Sequence, residues 1–432
     1  MNSCAAQVST STLTGGTHAI TATYSGDTNF SSSASTLSGG QVVGSLFGFS
    51  QATYSVAERA GSITINVNRT GDTSQAMSID YATDDGSVPS VVVPCSSVTG
   101  FALERCDYTR SAGTLNFAVG EAQKTFVVLV NDDSYTEGVE RLQLVLSNPT
   151  GGALLGSQSS ATLQITDDAP ESVGNPSDDD QSFVIQHYHD FLNREPDAAG
   201  LKFWTDGLKA CGTDQQCRAV KRVDTSAAFF LSIEFQNTGF FAYRVHKAAF
   251  GNLAGAPVPV RLDELLLDTQ SIGQGVVVGQ GPWQQQLDNN KAAFALAFVQ
   301  RPDFLARYPA LTSAAAFVNA LDSNTGGVLN DGEKSSFISE LSPNAADVNL
   351  RADVLRKVVE KSSFQAAELN QAFVLMEYFG YLRRDPDSAP DSNFSGYNFW
   401  LGKLNQFNGN YVAAEMVRAF ISSDEYRKRF GQ

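Results

Sequence analysis

The chain has 432 residues, 42% of them apolar and 18% charged, and a formal net charge of −16. That length is enough for two or three separate cores. The acidity argues against a nucleic-acid partner, which needs clustered Lys and Arg, and no run of about 18 apolar residues reads as a transmembrane segment.

The charge is unevenly placed. Residues 41–180 carry 18 acidic and 6 basic side chains, whereas residues 181–432 carry 27 and 24. The start, Met1-Asn2-Ser3-Cys4, lacks the basic-then-apolar pattern of a secretory signal. The first 40 residues read as the end of a domain that begins upstream, so the natural N-terminus is expected before Met1. Within them Ile20, Ala22 and Tyr24 alternate as in a strand, and Gly26-Asp27 reads as a turn. This stretch resembles the last strands of bacterial Ig-like repeats. Two strands are too few for a sandwich of their own.

Residues 46–168 show the period-two alternation of an all-β unit. Strands are expected at 46–56, 62–69, 76–83, about 108–118, 124–130, 139–147 and 158–166. Turn residues such as Gly71-Asp72, Asp85-Gly86 and Gly151-Gly152 separate them, which predicts a two-sheet sandwich. If neighbouring strands run in opposite directions, the odd-numbered ones end at Glu58, Asp84-Asp85, Asp132-Asp133 and Asp167-Asp168. The sixth begins at that end with Glu137 and Glu140. These nine carboxylates therefore converge on one rim, where they repel one another unless a cation lies between them. Carboxylates and backbone carbonyls suit Ca²⁺, which takes six to eight hard oxygen ligands. Zinc is disfavoured because no His or Cys accompanies them.

The motif Asp132-Asp133-x-x-x-Glu137-x-x-Glu140, with Tyr81-Ala82-Thr83-x-Asp85-Gly86 before it and Ile165-x-Asp167-Asp168 after it, resembles the Calx-beta domain. The resemblance implies a β-sandwich with calcium ligands on its distal loops. It assigns ligand positions to Glu58, Asp85, Asp132, Asp133, Glu137, Glu140, Asp167 and Asp168, with Asp84 a weaker member. The sequence departs from the family at Val139, where an acid often stands, and in the enlarged stretch between Asp85 and Tyr108. An exposed site of this kind is expected to bind calcium weakly, on the order of 10⁻⁴ M.

Cys95 with Cys106, and Cys211 with Cys217, each close a short polar loop and read as disulfides of an extracellular protein; free half-buried thiols are the alternative. Cys4 has no evident partner. Residues 169–182, with Pro170, Pro176 and Asp178-Asp179-Asp180, read as an acidic linker.

From residue 183 the apolar period becomes helical, predicting an all-α region over 183–432 with an internal repeat at 183–245 and 371–432. Tyr188-x-x-Phe191-Leu192-x-Arg194-Glu195-Pro196-Asp197 recurs as Tyr378-x-x-Tyr381-Leu382-x-Arg384-Asp385-Pro386-Asp387. Gly200-x-x-Phe203-Trp204 recurs as Gly396-x-x-Phe399-Trp400 after six extra residues, and Ser232-Ile233-Glu234-Phe235 as Ser423-Asp424-Glu425-Tyr426. Arg301-Pro302-Asp303-Phe304 is a degenerate third version. The prolines end one helix, Asp197 and Asp387 are expected to cap the next, and the Phe-Trp pairs are expected to fold into the core. This pattern resembles an uncharacterised helical domain at the C-termini of bacterial secreted proteins and, more distantly, the phycobilisome linker domain. The stretch from Asp322 to Glu333 has several EF-hand positions, but Gly326 stands where a ligand belongs, so a plain helix–loop–helix link is expected. His187 and His189, two apart on a helix, diverge rather than share a metal.

No catalytic motif is present, and the expectation is a non-enzyme. The sequence predicts an extracellular or cell-surface, calcium-binding adhesion or interaction protein. Its partner would be another protein, a matrix ligand or a second copy of itself. Two other readings stay open: a metal-independent scaffold acting through the helical region, and an accessory region of a secreted hydrolase.

Overall fold

The computed structural model describes residues 7–10, 13, 16–85, 94–97, 100–167 and 174–431. Near the start, β1 (Gly16–His18), β2 (Thr21–Tyr24), β3 (Ser33–Thr36) and β4 (Gln41–Val43) pair as two separate ladders, β1 with β4 and β2 with β3. The side chains of β2 and β3 are all exposed.

The sandwich follows as β5 (Leu46–Phe49), β6 (Thr53–Ala57), β7 (Ser62–Thr70), β8 (Met77–Asp84), β9 (Tyr108–Thr109), β10 (Ala112–Phe117), β11 (Gln123–Val130), β12 (Val139–Ser147), β13 (Leu154–Leu155) and β14 (Ser160–Thr166). One sheet has the order β10-β8-β12-β14-β6 and the other β13-β5-β7-β11-β9. Alternate residues such as Ile65, Val67, Phe126, Val128, Leu142 and Leu144 fill the space between them.

Two expected strands are each split between the sheets. In the first, the Ser50 amide bonds β7 at Asn66, while the carbonyl of Ala52 accepts from Thr162 of β14. In the fourth, Thr109 pairs with Leu129 in one sheet and Ser111 with Thr83 in the other. These crossings leave the directions intact. β6 and β14 run parallel and end at one rim, and β12, antiparallel to β14, starts there.

The helices are α1 (Asp180–His187), α2 (Ala198–Lys209), α3 (Gln215–Leu231), α4 (Ile233–Asn237), α5 (Gly239–Phe250), α6 (Leu262–Gly273), α7 (Trp283–Phe298), α8 (Pro302–Arg307), α9 (Ala314–Asn324), α10 (Asp331–Leu341), α11 (Val348–Val359), α12 (Ser362–Met376), α13 (Ser395–Gln406), α14 (Met416–Ile421) and α15 (Asp424–Arg427). They share one apolar core running from Phe183 to Phe430.

The sequence repeat is a structural repeat. α1 and α12 each continue into a π-turn, at Tyr188–Leu192 and Glu377–Leu382. Each ends on a left-handed residue, Asn193 or Arg383. Arg194 then grips Glu234 at 2.6 and 2.7 Å, and Arg384 grips Glu425 at 2.6 and 3.1 Å. The same arginines lie over the rings of Tyr188 and Tyr378. Gly200 and Gly396 are required because a Cβ there would collide with the hydroxyls of those two tyrosines. Trp204 packs on Phe229 and Trp400 on Phe420. Phe203 and Phe399, expected inside, are 67% and 59% exposed; each stands edge-on to its neighbouring Trp, which takes the inward position.

Asp197 caps α2 by accepting from the Gly200 amide. Asp387 does not cap, because the six extra residues move the start of α13 to Ser395, and its carboxylate pairs with Arg261 instead. Asp197→Ala is therefore expected to cost about 1 kcal/mol. Asp387→Ala loses only a partly exposed ion pair, worth less than about 1 kcal/mol. Urea midpoints of the two variants should show that order.

Candidate metal centre

The rim is built from loops whose positions follow from the strand ladder. Glu58 opens a single helical turn directly after β6. Asp133 and Glu137 lie in the connection from β11 to β12, and Glu140 is the second residue of β12. Alternation along β12 puts Glu140 on the same inward face as Leu142 and Leu144, so its carboxyl is driven under the rim. Asp167 follows β14, and its Oδ2 accepts from the amides of Glu137 and Gly138, both at 2.7 Å.

A sixth carboxylate was not foreseen. Asp107, the residue after Cys106 and before β9, has a carboxylate oxygen within 4.8 Å of oxygens of Asp133 and Glu137. The Cys95–Cys106 disulfide is formed, and with Leu103 and Tyr135 it makes a small apolar cluster. That cluster ties the segment bearing Asp107 to the segment bearing Asp133 and Glu137. Backbone bonds reinforce the tie: the Asn131 amide donates to the Asp107 carbonyl at 2.9 Å and its side chain donates to the Cys106 carbonyl at 2.6 Å. The available signal was an acid directly beside a cysteine of the enlarged stretch.

Contrary to the exposed site expected from the loops, alternation and packing under the rim bury four of these groups: Glu58 at 2% exposure, Asp107 at 3%, Asp133 at 2% and Glu140 at 1%. Burial, and then the Glu140 charge, push Asp107 well above the usual carboxylate range. Burial, followed by Glu137, raises Glu140 from 4.5 to about 8. Among the described residues no donor reaches Asp167 Oδ1, and the Glu140 carboxyl shares a hydrogen bond with the raised carboxyl of Asp107. Desolvated acceptors of this kind are costly unless a proton or a cation meets them. The donors are all hard oxygens, without His or Cys, which fits Ca²⁺ and not zinc.

The raised values set the sign of the pH dependence. Without metal, the folded chain holds protons that the unfolded chain releases above about pH 4.5. The contribution of Glu140 to stability is therefore complete below about pH 4.5 and lost as pH rises through about 8, and Asp107 acts in the same direction. Thermal melts with chelator should show the sandwich less stable at pH 8 than at pH 5. Calcium should shrink that difference, because it competes with protons for the same oxygens.

Asp84 is exposed and pairs across the ladder with Gln143, three residues short of Glu140, or about 10 Å along a strand. Asp85 accepts from the Glu104 backbone and lies near Arg110; burial raises its pKa. Asp132 lines a neighbouring cleft. Asp168 lies outside the described residues. Val139, whose lack of a charge was expected to weaken the site, faces outward.

Other suspected groups are engaged. Asp322 holds Lys334 at 2.5 Å and accepts from the Leu329 amide, while Glu333 completes a capping box with Asn330 and pairs with Lys361. That loop is a plain link between α9 and α10. His187 meets Ser226 and His189 meets Glu195, so the two rings diverge. Cys211 and Cys217 form the second disulfide.

The helical region clamps the rim. The Ser134 amide donates to the Phe430 carbonyl at 3.0 Å and the Tyr135 hydroxyl to the Lys428 carbonyl at 3.1 Å. Arg105, two residues before Asp107, donates to the Leu382 carbonyl and pairs with Glu425, the partner of Arg384. Both ligand-bearing segments are therefore fixed from outside the sandwich.

Comparison with known proteins agrees with this division. Residues 43–169 match the Calx-beta domain model, and residues 169–238 match a domain of unknown function, DUF4214. The extracellular matrix organizing protein FRAS1 of Mus musculus is 34% identical over 127 residues, 29% of this chain and 3% of that protein. The sodium/calcium exchanger Calx of Drosophila melanogaster is 31% identical over 120 residues, 28% of this chain and 11% of that protein. The chain thus spans only a small part of either relative. Among solved structures, the apo-form Calx CBD1 domain is 30% identical, covering 29% of this chain and 98% of that one, with a TM-score of 0.24. Residues 43–169 are thus similar to Calx-beta domains, and residues 169–238 to the DUF4214 domain.

Proposed function

We propose that the rim binds calcium, with Asp107, Asp133, Glu137 and Glu140 as ligands and Glu58 and Asp167 completing the site. The ion stiffens the junction between sandwich and helical region in an extracellular or cell-surface interaction protein that is not an enzyme. The observation that carries this reading is the set of four buried carboxylates, with Asp107 and Glu140 pressed against each other and an Asp167 oxygen lacking a donor. Two disulfides support an oxidising location. Among the described residues, no helix is long and apolar enough to cross a membrane. The matrix role in the name of FRAS1 supports a protein or matrix ligand as partner, with self-association as another form of contact.

Hydrogen exchange tests the stiffening directly. Calcium should slow exchange of the Ser134 and Tyr135 amides, which lie between the ligands and the helical clamp, by about tenfold or more. Unchanged exchange at saturating calcium would contradict the reading. A second reading, a scaffold acting through the helical region without metal, draws on the equivalent exposed rings of Phe203 and Phe399. It predicts that partner capture survives chelation.

A further inference from the structure

The two half-units of the helical repeat differ in what covers them. At the second, Arg105 of the sandwich donates through Nε to the Leu382 carbonyl at 3.2 Å and through Nη2 to Glu425 Oε1 at 3.3 Å. Glu425 takes that bond while also holding Arg384, as the four lone-pair sites of a carboxylate allow. The seat of Arg105 is thus made of repeat residues: the carbonyl that ends a π-turn and the Glu of the Ser-x-Glu motif.

The first half-unit carries the same two groups. Leu192 ends its π-turn as Leu382 does, and Glu234 holds Arg194 as Glu425 holds Arg384. The last residue of a helical segment leaves its carbonyl without an intrahelical partner. Leu192 and Glu234 border a cavity of about 410 Å³, and among the described residues its walls all come from 188–278, none from the sandwich. The chain has two seats and one sandwich to fill them. We infer that the cavity of the first half-unit docks an arginine on a loop of a partner protein, in the manner of Arg105 at the second.

Charge favours a cation there. Asp197 and Glu234 outnumber Arg194 on the walls, and Arg194 already spends its charge on Glu234. At the filled seat, burial works against the Arg105 cation, Glu425 favours it, and Arg429 and Arg384 repel it. Thr238 stands in the first half-unit where Arg429 stands in the second, so an incoming cation meets one repulsive charge fewer. A carbonyl and a carboxylate met by separate nitrogens suit the planar fork of a guanidinium better than the point charge of an ammonium.

The mouth of the cavity is apolar. Phe203 is 67% exposed, and Ile233, which takes the place of Asp424 in the second half-unit, is 59% exposed. Tyr188 and Trp204 add aromatic walls, which accept a guanidinium as well. The fitting loop therefore carries an arginine flanked by apolar residues. None of this depends on whether the rim binds calcium.

The test is calorimetric titration of the full chain with acetyl-Leu-Arg-Leu-amide, in chelator so that the metal centre plays no part. The same peptide with citrulline in place of arginine keeps the shape and removes the charge. The arginine peptide is expected to bind with a Kd below about 1 mM, and the citrulline peptide at least tenfold more weakly. Glu234→Gln should weaken binding about tenfold. Because Glu234 also holds Arg194, the exposed Phe203→Ala keeps the test independent of folding and should weaken binding severalfold. Phe399→Ala, at the half-unit whose seat is filled, should leave it unchanged. No heat with the arginine peptide up to 10 mM would overturn the proposal, as would equal affinity for the citrulline peptide or wild-type affinity in Phe203→Ala.

Discussion

Asp133→Asn is expected to weaken calcium binding by roughly 10- to 100-fold while making the metal-free protein more stable. Both effects have the same origin. Asp133 is a buried anion that contributes to the raised pKa of Asp107 and of Glu140. Removing its charge relieves that repulsion and also removes one ligand charge, the quantity that tunes affinity in oxygen sites. Asparagine keeps the acceptor for the Tyr135 amide, a 2.7 Å bond that shapes the loop, so the local fold should persist. Titration of the two proteins, paired with melts in chelator, would show affinity falling as metal-free stability rises. Asp84→Asn, at the exposed end of β8, should change calcium affinity less than about twofold, since Asp84 lies about 10 Å short of Glu140 along the ladder. A parallel loss at Asp84 would show that the metal lies elsewhere on the rim.

Loss of the Cys95–Cys106 disulfide is expected to cost about 2–3 kcal/mol of stability, the usual effect of opening a loop of that size. The effect on metal should be larger than this suggests. The disulfide packs against Leu103 and Tyr135, and Asp107 is the next residue after Cys106. Without the crosslink, both ligand-bearing segments lose their common anchor. Cys95→Ser combined with Cys106→Ser should therefore weaken calcium by about tenfold or more. Removing Cys211–Cys217, which lies at the α2–α3 turn, should leave calcium affinity unchanged. Calcium affinities of the two double variants distinguish a local role from general destabilisation.

Much of the sandwich was legible because burial on one face writes itself into the sequence as period two. That alternation, with a count of strand directions, places Glu58, Asp133, Glu137, Glu140 and Asp167 at one rim. Asp84 stands short of Glu140 because direction does not give register: β8 stops three residues below it. Asp107 was missed because its position depends on a disulfide and on packing by Tyr135, neither of which has a periodic signature. In the helical region, Arg194 and Arg384 were visible as repeated residues. Their partners Glu234 and Glu425 were visible too, inside the Ser-x-Glu motif. Only the structure joins them into ion pairs. The outward positions of Phe203 and Phe399 were hidden by the Trp beside each. The clamp of Lys428 and Phe430 on the rim rests on backbone carbonyls, which any residue supplies.

The central claim is that the buried carboxylates of the rim hold calcium. It is tested most directly by stripping the full chain with chelator and following its melting temperature as calcium is added. With a Kd on the order of 10⁻⁴ M, about 1 mM calcium should stabilise the folded state by about 1.4 kcal/mol and 10 mM by about 2.7 kcal/mol. The first transition should rise by several degrees over that range, and calorimetry should show saturable heat at pH 7 with protons released. A melting temperature indifferent to calcium up to 10 mM, with no heat of binding, would contradict the account.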